Sequence, residues 1–118
     1  MINNSGLARV IELLDADLTI IAVGTGAAPT REATQLTSEL LRKSVSETFI
    51  DGNILVKELF LNENEANGTL TELGLFGDGA TTTPGTGSLF ASSAANIVKN
   101  NTQSLTVSFE IEVQEVGA

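Results

Sequence analysis

The sequence contains no cysteine, histidine, tryptophan or tyrosine, and it has only five phenylalanines in 118 residues. Without cysteine or histidine, the chain has no thiol nucleophile, no serine–histidine–aspartate triad and none of the usual zinc sites. So few aromatic side chains also disfavour a stacking platform for sugars or for bases. We therefore expect a protein that is not an enzyme and that binds no cofactor, no metal and no small-molecule substrate.

Positive charge is scarce as well, because six lysines and arginines face fifteen aspartates and glutamates, for a net charge of −9. This balance argues against nucleic acid and anionic membranes as partners, since both require clusters of lysine and arginine. No apolar run reaches the roughly 18 residues of a membrane-spanning helix. Residues 1–6 lack the basic start of a signal peptide, so we expect synthesis in the cytoplasm.

Two helices and one strand are predicted in the N-terminal third of the chain. Apolar residues recur at helical spacing over residues 5–15 and predict an amphipathic helix there. The β-branched run from Leu18 to Val23 predicts a strand that is buried on both faces. Thr30 can cap a short second helix from Glu32 to Leu41.

From residue 44 onward the hydrophobic period changes to two, which predicts strands over residues 44–50, 53–61, 69–76, 89–91 and 105–113. Asp51-Gly52 is a two-residue hairpin signal between the first two of these strands. Residues 77–88 form a loop with no apolar side chain larger than Ala80, so we expect it to have no anchor on the core of its own chain.

These elements predict an α+β fold that is mainly β. We expect an antiparallel β-sandwich or a curled sheet, with an N-terminal helix and one short second helix. The chain is predicted to be a single domain over residues 1–118. Within it, residues 1–17 form a helix arm and residues 18–116 form a β-rich body that includes the loop 77–88.

The sequence gives only weak support for a nucleotide site and for a calcium site. Gly24-Thr25-Gly26 follows a strand, as a dinucleotide-binding turn does, but Pro29 occupies the third glycine position of that motif. Asp15, Asp17 and Asp78 offer oxygen ligands for calcium, but the EF-hand spacing is absent. Turn and helix-end chemistry explains these residues more simply.

Glu72 is the most unusual charged residue, because apolar residues surround it in the sequence. Alternation places it on one face with Leu70 and Phe76, and a buried carboxylate requires a partner. We therefore expect a structural ion-pair cluster of Arg42, Glu72 and Glu39, with an exposed glutamate at a sheet edge as the alternative.

The predicted strand over residues 53–61 is apolar on both faces. One face carries Leu55, Leu59 and Leu61, and the other carries Ile54, Val56 and Phe60. One helix and one small sheet do not cover both faces, and a surplus apolar face usually marks an interface. We expect self-association, with Leu55, Leu59 and Leu61 as the candidate interface.

Several sequence blocks, taken in order, resemble a known group of proteins. The blocks are Ser5-Gly6-Leu7, Ile20-Ile21-Ala22-Val23-Gly24-Thr25-Gly26, the L-x-x-E-x-x-R segment Leu36–Arg42, the strand Glu72-Leu73-Gly74-Leu75-Phe76 and Gly87-Ser88-Leu89-Phe90-Ala91. This ordered set resembles small virion proteins of tailed bacteriophages that are related to the N-terminal attachment domain of tail or collar fibre proteins.

The resemblance implies a non-enzymatic structural subunit of the virion, such as a fibre-attachment, collar, neck or tail component. The implied partners are copies of the chain, with a trimer favoured by analogy with fibres, and other virion proteins, assembled in the host bacterial cytoplasm. Fibre proteins of this kind continue into a shaft, whereas this sequence stops at Ala118. A capsid decoration protein and a β-sandwich module that binds a ligand or carbohydrate are the alternatives.

Overall fold

The computed structural model describes residues 1–116; residues 117 and 118 of the predicted domain lie outside the described residues. The elements are α1 (Asn4–Asp17), β1 (Ile20–Gly24), β2 (Glu39–Ser44), β3 (Glu47–Asp51), β4 (Ile54–Leu61), β5 (Gly68–Gly77), β6 (Ser88–Lys99) and β7 (Leu105–Glu112). A four-stranded sheet has the order β2-β1-β5-β6, and a three-stranded sheet has the order β3-β4-β7. All pairs are antiparallel. The fold is therefore α+β and mainly β, as expected.

One main core joins the helix to both sheets. Its buried residues are Ile11, Leu18, Ile21, Val23, Leu55, Leu59, Leu61, Leu70, Leu75 and Val107. Ile11 brings α1 into this core, so the predicted helix arm packs against the β-rich body. No helix in residues 1–116 is long and apolar enough to cross a membrane.

A second, smaller core lies against the four-stranded sheet. It consists of Ile20, Ala22, Leu36, Phe76 and Ala80, with Leu89 packed against it. Alternate residues of β1 enter the two cores, so every position of this strand is buried. The near-continuous apolar run in the sequence reflects this burial on both faces.

The predicted second helix is wrong. Residues 25–38 form turns and irregular chain, and Glu39 begins β2, which pairs with β1 from Gly24↔Glu39 to Ile20↔Ser44. A helix over Glu32–Leu41 would have left one edge of β1 without its ladder of hydrogen bonds. The predicted strand over residues 44–50 begins too early. Ser44 is the last residue of β2, and β3 begins at Glu47.

The hairpin and the last strand are confirmed, but the two turn residues are Gly52 and Asn53 instead of Asp51 and Gly52. Asp51 lies opposite Ile54, and Gly52 takes a φ of +61° in the turn between β3 and β4. In β7 the apolar side chains alternate with exposed polar ones, as the sequence pattern predicts. β6 is longer than predicted, since it continues without interruption through residues 94–99.

The predicted interface is also wrong. Leu55, Leu59 and Leu61 have no exposed surface, because α1 and the four-stranded sheet cover that face of β4. The opposite face of β4 is the outer one, and Phe60 on it is 48% exposed.

Candidate functional site

The most densely bonded charged group is Arg42 of β2, whose side chain is only 1% exposed. Its Nε and Nη2 donate to the two carboxylate oxygens of Glu39, each at 2.9 Å. This two-point geometry suits the planar guanidinium and gives a stronger bond than a single contact. The predicted pairing of Arg42 with Glu39 is therefore confirmed.

Other contacts of Arg42 hold the loop 77–88. Its Nη1 donates to the carbonyl oxygens of Thr81, at 3.2 Å, and Thr86, at 2.9 Å. The guanidinium also lies 4.4 Å from the ring centre of Phe76, a favourable distance for a cation–π contact. Ala80 of the same loop is buried in the second core. The expectation that this loop has no anchor is therefore wrong.

Glu72 of β5 is fully buried, but its partner is not Arg42. Its carboxylate accepts three backbone N–H groups, from Gly26 at 2.9 Å and from Thr37 and Ser38 at 2.7 Å each. The predicted Arg42–Glu72 pair is thus wrong, and so is the alternative of an exposed edge glutamate.

The register of the sheet explains why the two charges stay apart. Glu72 lies opposite Gly24 of β1, whereas Arg42 lies opposite Ala22. The two side chains are therefore offset along the sheet, and the N–H groups of residues 25–38 supply the positive partial charge that Glu72 requires. A sequence cannot show such backbone donors, so sequence reasoning found the buried charge and assigned it the wrong partner.

The two glycines of the Gly24-Thr25-Gly26 block leave room for the carboxylate of Glu72. A Cβ at Gly24 would lie 2.6 Å from both Oε2 of Glu72 and the carbonyl oxygen of Ser38. A Cβ at Gly26 would lie 2.9 Å from the same Oε2. The two glycines therefore allow the backbone to close around Glu72.

Four of the five blocks that carry the sequence resemblance come together here, whereas Ser5-Gly6-Leu7 lies in α1. They contribute β1, β2 with the chain before it, β5 and the start of β6, which are the four strands of one sheet. We call Glu39, Arg42, Glu72 and their bonded partners the motif cluster. This cluster holds the loops 25–38 and 77–88 in place, because its carboxylates and guanidinium are already bonded to other groups of the protein.

Sequence reasoning missed two further buried charges, Lys99 of β6 and Lys57 of β4, and Lys57 is the more densely bonded. Its Nζ donates to Oδ1 of Asp15 at 2.6 Å, to the Asp15 carbonyl at 3.0 Å and to the Thr48 hydroxyl at 3.2 Å. The cation thus lies at the C-terminal end of α1, where the helix dipole favours positive charge. The sequence pattern could have indicated this burial, because Lys57 alternates with Leu55 and Leu59 on the same face of the strand.

The other aspartates considered for calcium also have structural partners. Asp17 accepts the backbone N–H of Asp78 at 3.0 Å, which ties the end of α1 to the end of β5. Within the described part of the chain, no group of three or more acidic side chains is arranged to hold a metal ion.

One carboxyl group has a perturbed pKa. The backbone N–H of Asn62 donates to Glu65 at 3.0 Å, and Lys43 Nζ donates to the same oxygen at 2.9 Å. Both contacts favour the charged form, so they lower the pKa of Glu65 below its usual value.

A shallow groove of about 450 Å³ lies between residues 29–33 and the first half of β6. Its lining includes Arg31 and Phe90.

No protein-family model matches this chain, and comparison with curated proteins finds no significant match.

Proposed function

We propose that the chain is a β-sandwich structural subunit of a tailed-bacteriophage virion, without enzymatic activity, placed at a fibre attachment, collar, neck or tail. The observation that carries this proposal is the motif cluster. Four sequence blocks that lie far apart in the chain supply the strands of one sheet, and their charged residues form two neighbouring bonded groups, one around Glu72 and one around Arg42. This supports a shared fold with the resembling virion proteins, because the common residues are the ones that build it.

Beyond Leu89, whose N–H donates to the carbonyl oxygen of Thr34, the free edge of β6 supports assembly from copies of the chain. This edge strand is 12 residues long and has no charged side chain before Lys99. Phe90 and Val98 on it are 47% and 68% exposed. Long uncharged edges pair readily with another strand, whereas charged side chains discourage such pairing.

The other edge strands do carry charges. These are Glu39, Arg42 and Lys43 in β2, Glu47 and Asp51 in β3, and Glu110 and Glu112 in β7. Copies with a net charge of −9 repel one another, and a contact at an uncharged surface adds no close pair of like charges to that repulsion. We therefore place a self-contact of the proposed homo-oligomer at β6. Pairing of two β6 edges joins two copies, so the trimer favoured by analogy with fibres requires β6 residues to meet around a threefold axis instead of as paired strands.

Three measurements test the proposal. Purified virions of a phage that encodes the chain should contain it in a fixed ratio to the tail proteins, measured by quantitative mass spectrometry. In solution, Ala94→Lys on β6 should dissociate the oligomer in light scattering, while Thr106→Lys on β7 should leave it intact. Absence from the particles would refute the virion assignment. A monomer that binds glycans on an array would support the ligand-binding alternative.

A further inference from the structure

The outer face of the three-stranded sheet combines exposed apolar side chains with unpaired acids. Residues directly opposite each other in antiparallel strands share a face. The register joins Phe49 to Val56 and Val56 to Glu110, so these three residues form one row across the face. We call this surface the acidic face, and its residues are Glu47, Phe49, Asp51, Ile54, Val56, Glu58, Phe60, Glu110 and Glu112.

The carboxylates of the acidic face have no cation to balance them. Among the described residues, none of the five acids forms an ion pair, and only Glu58 accepts a side-chain hydrogen bond, from Ser108. The single cation on these three strands, Lys57, turns inward to Asp15. Glu47 lies directly opposite Glu58, an arrangement of like charges that destabilises a sheet.

Apolar side chains occupy the same face. Phe49 is 52% exposed and Phe60 is 48% exposed, so two of the five phenylalanines of the chain lie at this surface. Ile54 and Val56 are half-buried beside them. Phenylalanine is enriched in the cores of protein interfaces, where a few buried side chains supply most of the binding energy.

The negative charge of the acidic face indicates which kind of partner could bind there. A second copy would bring its own carboxylates against these, and nucleic acid or an anionic membrane would be repelled in the same way. A partner surface rich in lysine or arginine, with an apolar side chain to contact Phe49, complements both features. The like-charge pair of Glu47 and Glu58 is a cost to the free chain that such a partner would relieve.

We propose that the acidic face is the docking surface for a basic partner protein that presents an apolar side chain between its lysines or arginines. The proposal goes beyond the proposed function, because it holds for any assembly that the chain joins. It also concerns a different surface from the free edge of β6, so the two contacts are compatible in one assembly.

The test uses two synthetic peptides as probes, one of alternating lysine and leucine and one of alternating lysine and serine. The Glu47→Gln/Glu110→Gln/Glu112→Gln variant should bind the lysine–leucine peptide about tenfold more weakly than the wild type, which is the loss expected from three exposed ion pairs. The matched control, Glu12→Gln/Glu32→Gln/Glu63→Gln, changes the net charge equally and should bind as the wild type does.

The apolar part of the proposal has its own variant. Phe49→Ser should weaken binding of the lysine–leucine peptide but leave binding of the lysine–serine peptide unchanged. In NMR titrations, the lysine–leucine peptide should shift the amide signals of Phe49, Val56 and Glu110, and unfolding in urea should show that each variant is folded.

Three results would overturn the proposal. Equal weakening by the two triple variants would mean attraction to net charge alone. Peptide-induced shifts confined to another surface would place the contact elsewhere. The same shifts with calcium chloride alone would make the face a cation site. If the chain is absent from virions but these peptide results hold, the virion assignment fails and the docking surface stands.

Discussion

Replacing Glu72 with glutamine tests whether a buried carboxylate holds residues 25–38 in place. In the wild type, Oε1 accepts the N–H of Thr37, and Oε2 accepts those of Gly26 and Ser38. A glutamine fills the same volume but offers a single acceptor oxygen and directs an N–H₂ donor at the remaining N–H. Glu72→Gln therefore changes the charge and acceptors without opening a cavity.

The magnitude follows from these three bonds. Hydrogen bonds to a charged group contribute about 1.5–3 kcal/mol each, and neutral ones contribute about half as much. If the amide oxygen keeps the bonds to Gly26 and Ser38, each weakens by about 1 kcal/mol, and the bond to Thr37, worth about 2 kcal/mol, is lost. We expect Glu72→Gln to lower the free energy of unfolding by about 3–4 kcal/mol.

Urea unfolding monitored by circular dichroism measures this loss, and amide hydrogen exchange locates it. Exchange at Gly26, Thr37 and Ser38 should accelerate more than exchange in β4. The matched control is Glu58→Gln, an outward-facing glutamate with one side-chain bond, which should change stability by no more than about 0.5 kcal/mol. A Glu72→Gln chain as stable as this control would refute the reasoning.

Three further predictions concern neighbouring contacts. In double-mutant cycles on unfolding free energy, Arg42 and Glu39 should be coupled by about 1 kcal/mol or more, whereas Arg42 and Glu72 should be additive within about 0.5 kcal/mol; the reverse would restore the pair expected from the sequence. Gly24→Ala should lower the free energy of unfolding by about 1–3 kcal/mol, because its Cβ would overlap backbone and carboxylate, and an unchanged urea midpoint would contradict this. The lowered pKa of Glu65 contributes stability that is present above the unfolded value, about 4.3, and is lost as pH falls through the folded value. Stability curves of Glu65→Gln and wild type should therefore converge in acid, and a constant gap at all pH values would exclude the effect.

The parts of the fold that the sequence predicted are those that depend on local pattern. The hairpin at Gly52 follows from turn chemistry between two alternating segments. The last strand follows from alternation over Leu105–Glu112, because one face of β7 is buried and the other is exposed. The α1 helix follows in the same way from the spacing of its apolar residues.

The parts that were missed depend on contacts between distant residues. Residues 32–41 carry a pattern compatible with a short helix, but β1 requires a neighbouring strand and Glu72 requires N–H donors from Thr37 and Ser38. On β4 both faces are apolar, so periodicity alone does not select the inner one. Only the packing of α1 and the other sheet shows that Leu55 is inside and Phe60 outside.

The two sheets differ in what covers their outer faces. Loops of the chain cover one of them, and the other is exposed. On the four-stranded sheet, the loops 25–38 and 77–88 cover the second core, and their contacts engage Glu72 and Arg42. On the three-stranded sheet Phe49 is 52% exposed, and the carboxylates around it form no ion pair with any described residue. Buried charges that are fully bonded add to the definition of the fold, whereas exposed charges of one sign repel each other, and a partner of opposite charge relieves that repulsion. The motif cluster therefore belongs to the fold, and the acidic face belongs to what the fold binds.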